Sequence, residues 1–174
     1  MAQACEAASP LSGAVEVDES YFGPRRVRGK RGRGAGRKTI VFGIFKRNGK
    51  VYAELVPDCS KPVLQRAIRG KVGLASVVHS DGMRSHDGLV DLGYQKHLRV
   101  DHSANQFADA RDRANHINGI ESFWAYAKVR LARYRGMRPH TFYFHLKECE
   151  FRFNHRRQDL YRILLDLCRR GPLS

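Results

Sequence analysis

The sequence predicts an α/β domain: a mixed five-stranded sheet that opens with three antiparallel strands and is flanked by helices. Three observations carry that expectation. Ala14 to Ser20 (AVEVDES) alternates apolar and polar residues, and Thr39 to Lys46 (TIVFGIFK) and Val51 to Val56 (VYAELV) are rich in β-branched and aromatic residues. Two more strand-like stretches, Ser76 to His79 (SVVH) and Lys96 to Asp101, follow at wider spacing. From His116 onward the pattern turns to helical periodicity. The chain has 174 residues, the size of one domain. Chains near 150 residues bury roughly 70% of their unfolded surface, so this one is long enough to bury a real core.

The elements follow in order. Residues 1–12 are small and polar and read as a loose tail. The first strand runs into 23–38 (GPRRVRGKRGRGAGRK), where eight of sixteen residues are basic and five are glycine. That composition cannot form a core, so an exposed loop is expected. Arg47-Asn48-Gly49-Lys50 carries the Asn-Gly hairpin signal and pairs the next two strands. Ser60 is placed to cap a helix running to about Arg69, with Pro62 in its first turn. After the fourth strand, His86 to Leu92 reads as a short helix stopped by Gly93. Residues 102–115 read as loop, His116 to Tyr134 as a long helix, Pro139 to about Arg156 as another, and Asp159 to Arg170 as a last short one. This is the element order of an RNase H-like fold. The expected organisation is a tail over 1–12, a domain over 13–158, and a terminal helix and tail over 159–174.

Charge narrows the function. Lys plus Arg number 32 against 17 acidic residues, a net of +15. A surface of that kind favours a polyanion through counterion release, with nucleic acid first. Cys5, Cys59, Cys149 and Cys168 form no C-x-x-C pair, which argues against a zinc site and, being scattered, fits a reducing cytoplasm. The first thirteen residues lack the pattern of a secretion signal, and no run of eighteen apolar residues exists to cross a membrane.

Polar residues interrupt apolar elements at three places. Asp18 lies within the first strand, and Asp81 follows an apolar strand in VVHSDG. Asn118 and Glu121 lie early on the long helix. At about 100° per residue, Ile117, Ile120, Trp124, Ala127 and Leu131 of that helix gather on a core face. Asn118, Glu121 and Lys128 gather on the adjacent face, with Lys128 two turns beyond Glu121. Phosphoryl transfer uses such a set: two divalent metals about 3.5–4 Å apart steady the attacking and leaving oxygens, and Mg²⁺ prefers a few carboxylates with water. Asp18, Asp81 and Glu121 would hold two Mg²⁺ (or Mn²⁺) ions, and Lys128 would meet the DNA backbone. Taken singly, Asp18 fits a solvent-facing strand residue, Asp81 a turn and Glu121 a helix N-terminus. Only the set, in a chain this basic, favours catalysis.

The segments VEVDESYFG, VFGIFKRNGKVYAELV, VVHSDGMRSHDGLVDLGY, HINGIESFWAYAKVRL and LKECEFRFNHRR together resemble the ISXO-like bacterial insertion-sequence transposases over about residues 12–157. The resemblance implies an RNase H-like fold and DDE chemistry: hydrolysis at element ends, then attack of the freed 3′-hydroxyls on target DNA. Asp18 and Asp81 fall on its first two acidic positions. The third alternates in the family between Asn and Glu. Asn118 meets the spacing of the Asn form, while Glu121 has Lys128 seven positions on. Glu121 is favoured physically, because an amide oxygen brings no charge to the metal. Full-length relatives carry an N-terminal zinc ribbon; here about a dozen residues precede the match, so a shortened product is expected. DNA at element ends and target would be the partner, a homo-oligomer the active form, and the bacterial cytoplasm and nucleoid the location. The alternatives are an RNase H-like nuclease without strand transfer and a non-catalytic DNA-binding remnant.

Phosphate contacts are expected from the basic loop, through Arg25, Arg26, Arg28, Lys30, Arg31, Arg33, Arg37 and Lys38. Arg130, Arg133, Arg135 and Arg138 would extend the same surface. Trp124, Cys149, Phe151 and Phe153 read as core. His79, His86, His102 and His116 flank the acidic positions, where an imidazole can assist proton transfer.

Overall fold

The computed structural model describes residues 1–6, 11–23, 38–47, 49–81, 93–94, 96–100, 116–134 and 137–171. The sheet is five-stranded in the order β3-β2-β1-β4-β5. β1 (Ala14–Phe22), β2 (Thr39–Lys46) and β3 (Val51–Val56) form the antiparallel meander, closed by a backbone bond from Lys46 to Lys50. β4 (Val77–Asp81) and β5 (Lys96–Val100) continue it in parallel on the far side of β1. The expected short helix at 86–92, the loop at 102–115 and most of the basic loop lie outside the described residues.

Period-two alternation divides the core between the two faces. Val15 and Val17 of β1, Phe42 and Ile44 of β2 and Val78 of β4 pack against Leu64 and Ile68 of α2 (Lys61–Lys71). Phe22, Val41, Phe45, Val51 and Ala53 point the other way, onto α3 (Asn118–Leu131) and α4 (Pro139–Asn154). The α3 face is the expected one: Ile117, Ile120, Trp124, Ala127 and Leu131 are all buried, joined by Phe123. Cys149, Phe151 and Phe153 are buried as expected. α5 (Leu160–Arg170) is capped by the Asp159 carboxylate, which accepts the Tyr161 and Arg162 N–H groups, and it buries none of its residues.

Two local expectations meet a different structure. Ser60 stands at the N-cap of α2, but its side chain makes no cap bond; its own N–H donates to Asp58 Oδ1 instead. Within the expected tail, Ala2–Glu6 forms a short helix, α1, with Cys5 buried. Five residues cannot hold a helix by propensity. Tertiary bonds hold this one: Glu6 pairs with Lys147 Nζ at 2.8 Å and Lys71 Nζ at 3.7 Å, and accepts the hydroxyls of Tyr52 and Tyr143.

The edge strand β3 is closed off by side chains. An open edge presents unpaired N–H and C=O groups. Here Asn154 of α4 accepts the Val51 N–H and donates to the Val51 carbonyl, while Glu150, one turn earlier, accepts the Ala53 N–H. Glu150 also holds the fully buried Lys147 at 3.0 Å. Burial pushes the Glu150 carboxyl above its ordinary range, against the pull of Lys147.

Candidate active site

β1 is the central strand, and its even-numbered residues face α3. Three of them, Glu16, Asp18 and Ser20, are polar where a core would ordinarily be apolar. Each needs a partner, since a buried polar group without one is costly.

Glu16 is fully buried, and each of its oxygens accepts a hydrogen bond. It accepts Arg47 Nε at 3.0 Å and the Ile120 N–H at 3.0 Å, with His116 Nδ1 at 3.5 Å. The Ile120 N–H is one of the first four in α3 and has no carbonyl within the helix to meet. The N-cap residue of α3, Ile117, offers no side-chain bond. Glu16 therefore caps α3 from the neighbouring layer and adds a negative charge at the positive end of the helix dipole. Arg47 also donates to the His116 carbonyl, tying the entry of the helix to the β2–β3 turn. Gly119 makes the approach possible, because a Cβ there would stand 2.2 Å from Phe45 Cε1 and 2.8 Å from Glu16 Oε2.

Asp18 is half-buried, and its Oδ2 accepts the indole N–H of Trp124 at 3.0 Å. The pairing of Val17 with Ser80 puts Asp81 one rung on, on the strand beside Asp18 and on the same face. Burial pushes the Asp18 carboxyl up to about 7; the charges of Glu19 and Asp81 add to the rise, and the Trp124 bond opposes it. The two expected acidic residues are thus brought together on the α3 side of the sheet, close enough to feel one another's charge.

The third position is less fully assembled. Asn118 and Glu121 are exposed on the first turn of α3, and Lys128 is exposed two turns beyond Glu121. Among the described residues no group of three or more His, Cys, Asp or Glu stands close enough to hold one ion. Arg130 is turned to Glu148 at 2.9 Å, while Arg133 and Arg138 are exposed. Lys38 is half-buried at the entry to β2; Arg25, Arg26, Arg28, Lys30, Arg31, Arg33, Arg37 and Arg135 lie outside the described residues, as do His86 and His102. His79 is buried in β4.

Comparison with known proteins identifies the family and the fold. The profile of the ISXO2-like transposase domain matches residues 10–154. This chain belongs to the ISXO2-like transposase domain family. An uncharacterized transposase-like protein of Haemophilus influenzae is 41% identical over 105 residues, 60% of this chain and 81% of that protein. Among solved structures, the catalytic core domain of BIV integrase superposes with a TM-score of 0.53 at 18% identity, covering 89% of this chain and 95% of that one. The fold is RNase H-like. Among the described residues, no helix of this transposase domain is long and apolar enough to cross a membrane.

Sequence reasoning missed Glu16, Gly43, Gly119 and the indole N–H of Trp124. A signal for Glu16 was present: in VEVDES the alternation that faces Val15 and Val17 to one side commits Glu16 and Asp18 to the other. A carboxylate at such a position needs a donor.

Proposed function

We propose that this domain cuts and joins DNA as a DDE transposase, with Asp18, Asp81 and Glu121 as the ligands of two Mg²⁺ or Mn²⁺ ions. The observation that carries the reading is the Asp18–Asp81 pair. Two carboxylates on adjacent strands, one already raised to about 7 by burial and by its acidic neighbours, form a site whose repulsion a dication relieves. Both offer the hard oxygens that Mg²⁺ prefers. When bound, such ions polarise the phosphodiester and steady the charge that develops on the attacking and leaving oxygens.

The chain's own residues do the rest. Glu121 and Lys128 lie to the same side of Trp124 on α3, at about 60° and 40° from it around the helix, whereas Asn118 is further round, about 120° away. Since Trp124 reaches Asp18, the Glu121 edge of α3 lies nearer the acidic pair than the Asn118 edge, which favours Glu121 as third ligand. Lys128, on the same edge, supplies a phosphate contact, and the basic loop at 23–38 extends the DNA surface with Arg25, Arg26, Arg28, Lys30, Arg31, Arg33, Arg37 and Lys38. Residues 13–158 form the catalytic unit, and two element ends joined in one event call for a second copy of the chain.

Nicking of supercoiled DNA tests the reading. Asp81→Asn abolishes Mg²⁺-dependent nicking while DNA retention at low salt changes little. Equal nicking by that variant removes Asp81 from the mechanism. An oligonucleotide strand-transfer assay then separates a transposase from a simple nuclease.

A further inference from the structure

We propose that Trp124 is a positioning residue: its indole N–H orients the Asp18 carboxylate toward the cation site. The inference rests on Asp18 being a metal ligand, as argued above. Three observations set the geometry. The indole is a donor only, and its single N–H is spent on Asp18 Oδ2 at 3.0 Å. The ring reaches that oxygen through a slot in the sheet: Gly43 is the β2 residue in register with Asp18, and a Cβ there would stand 2.6 Å from Trp124 Cζ2 and 2.7 Å from Cη2. The ring is also fixed, 4% exposed and packed edge-on against Phe22 at 6.1 Å and tilted against Phe123 at 5.1 Å.

A hydrogen bond from a rigid donor does two things for a carboxylate ligand. It removes the rotational freedom that metal binding would otherwise have to freeze, and it couples β1 to the helix that carries Glu121 and Lys128. Partners of this kind typically change metal affinity about 10–100-fold when removed. Simple core packing predicts otherwise: the ring's volume would matter and its N–H would not.

Trp124 is the only tryptophan in the chain, so it gives one indole ¹H–¹⁵N signal. In the wild-type chain, that signal moves saturably on titration with Mg²⁺, because a cation on Asp18 draws charge from the bond the indole donates. Separately, Mn²⁺ binding is measured from the paramagnetic resonance of the free ion for wild type, Asp18→Asn and Trp124→Phe. Trp124→Phe keeps an aromatic ring and loses the donor; it is expected to bind Mn²⁺ about tenfold more weakly, and Asp18→Asn more weakly still. A wild-type chain that binds Mn²⁺ while its indole signal stays still under Mg²⁺, with Trp124→Phe binding equally well, overturns the positioning role alone. A wild-type chain that binds no Mn²⁺ overturns this role and the metal reading together. Should Trp124→Phe fail to fold, the wild-type indole signal decides by itself.

Discussion

Gly119→Ala tests whether the start of α3 is pressed onto the sheet as tightly as the geometry requires. Helix propensity alone makes the change favourable, by up to about 1 kcal/mol in a helix interior. Contact geometry opposes it. The new methyl would lie 2.2 Å and 2.3 Å from two atoms of the Phe45 ring and 2.8 Å from Glu16 Oε2. Phe45 is 6% exposed and packed edge-on against Phe153, so the ring has little room to turn. The first turn of α3 must lift instead, and the Ile120 N–H then leaves Glu16. Overpacking costs about 1–3 kcal/mol, and a buried acceptor left short of a donor costs about 1–3 kcal/mol more. After the propensity gain, the net loss is about 3 kcal/mol, or roughly 6–12 °C in melting midpoint for a domain this size. Gly70→Ala is the internal control. Gly70 lies in α2 with nothing within 4 Å of its ideal Cβ, and the same substitution there stabilises by about 0.4–1 kcal/mol. Thermal melts followed by circular dichroism read both. A Gly119→Ala midpoint at or above wild type would refute the close-approach argument.

Two further outcomes follow from the paired carboxylates. Burial raises the Glu6 carboxyl, but Lys147, Tyr143 and Tyr52 outweigh it and hold the group below its ordinary value of 4.5. A depressed acid contributes stability above its unfolded pKa and loses it as pH falls through the folded one. The urea-stability gap between wild type and Glu6→Gln is therefore wide at pH 7 and closes toward pH 3; an equal gap at both sinks the assignment. Glu16→Gln, which breaks a buried ion pair with Arg47, lowers stability by about 3 kcal/mol, whereas Asp18→Asn keeps an acceptor for Trp124 and leaves stability unchanged or higher. Chemical denaturation of the two variants side by side checks the contrast, and matching losses contradict it.

Much of the fold was legible because local pattern and tertiary role agree. β2 and β3 begin and end where their composition changes, and the apolar face of α3 is the buried face. Asp18 and Asp81 could be singled out because one lies within an apolar strand and the other ends one. The rest depends on partners remote in sequence. α1 exists through Lys147 and Tyr143 of α4, and five residues of sequence carry no trace of them. Glu150 and Asn154 find their partners only where β3 lacks a strand neighbour on that side. Trp124 was correctly expected in the core, but whether a buried indole also has an oxygen to meet is decided by the strand beneath it.

Glu16 and Asp18 stand two residues apart on one strand face, and their surroundings assign them opposite work. Glu16 is fully buried yet bonded by a guanidinium and a helix N–H, with an imidazole nitrogen 3.5 Å away. With its oxygens so occupied it has little to offer a metal, and it is fixed as a ligand of the fold. Asp18 is less buried but more poorly compensated: burial, Glu19 and Asp81 act against its charge, and the Trp124 N–H only partly offsets them. A cation that entered would be drawn to the carboxylate whose charge is least satisfied, and would find Asp81 on the next strand. Glu16 builds the platform by seating α3; Asp18, bonded to the Trp124 N–H, faces that helix, where Glu121 and Lys128 follow on one edge. Sites that sacrifice stability in this way are where chemistry is expected, and here the sacrifice falls on one carboxylate of the two.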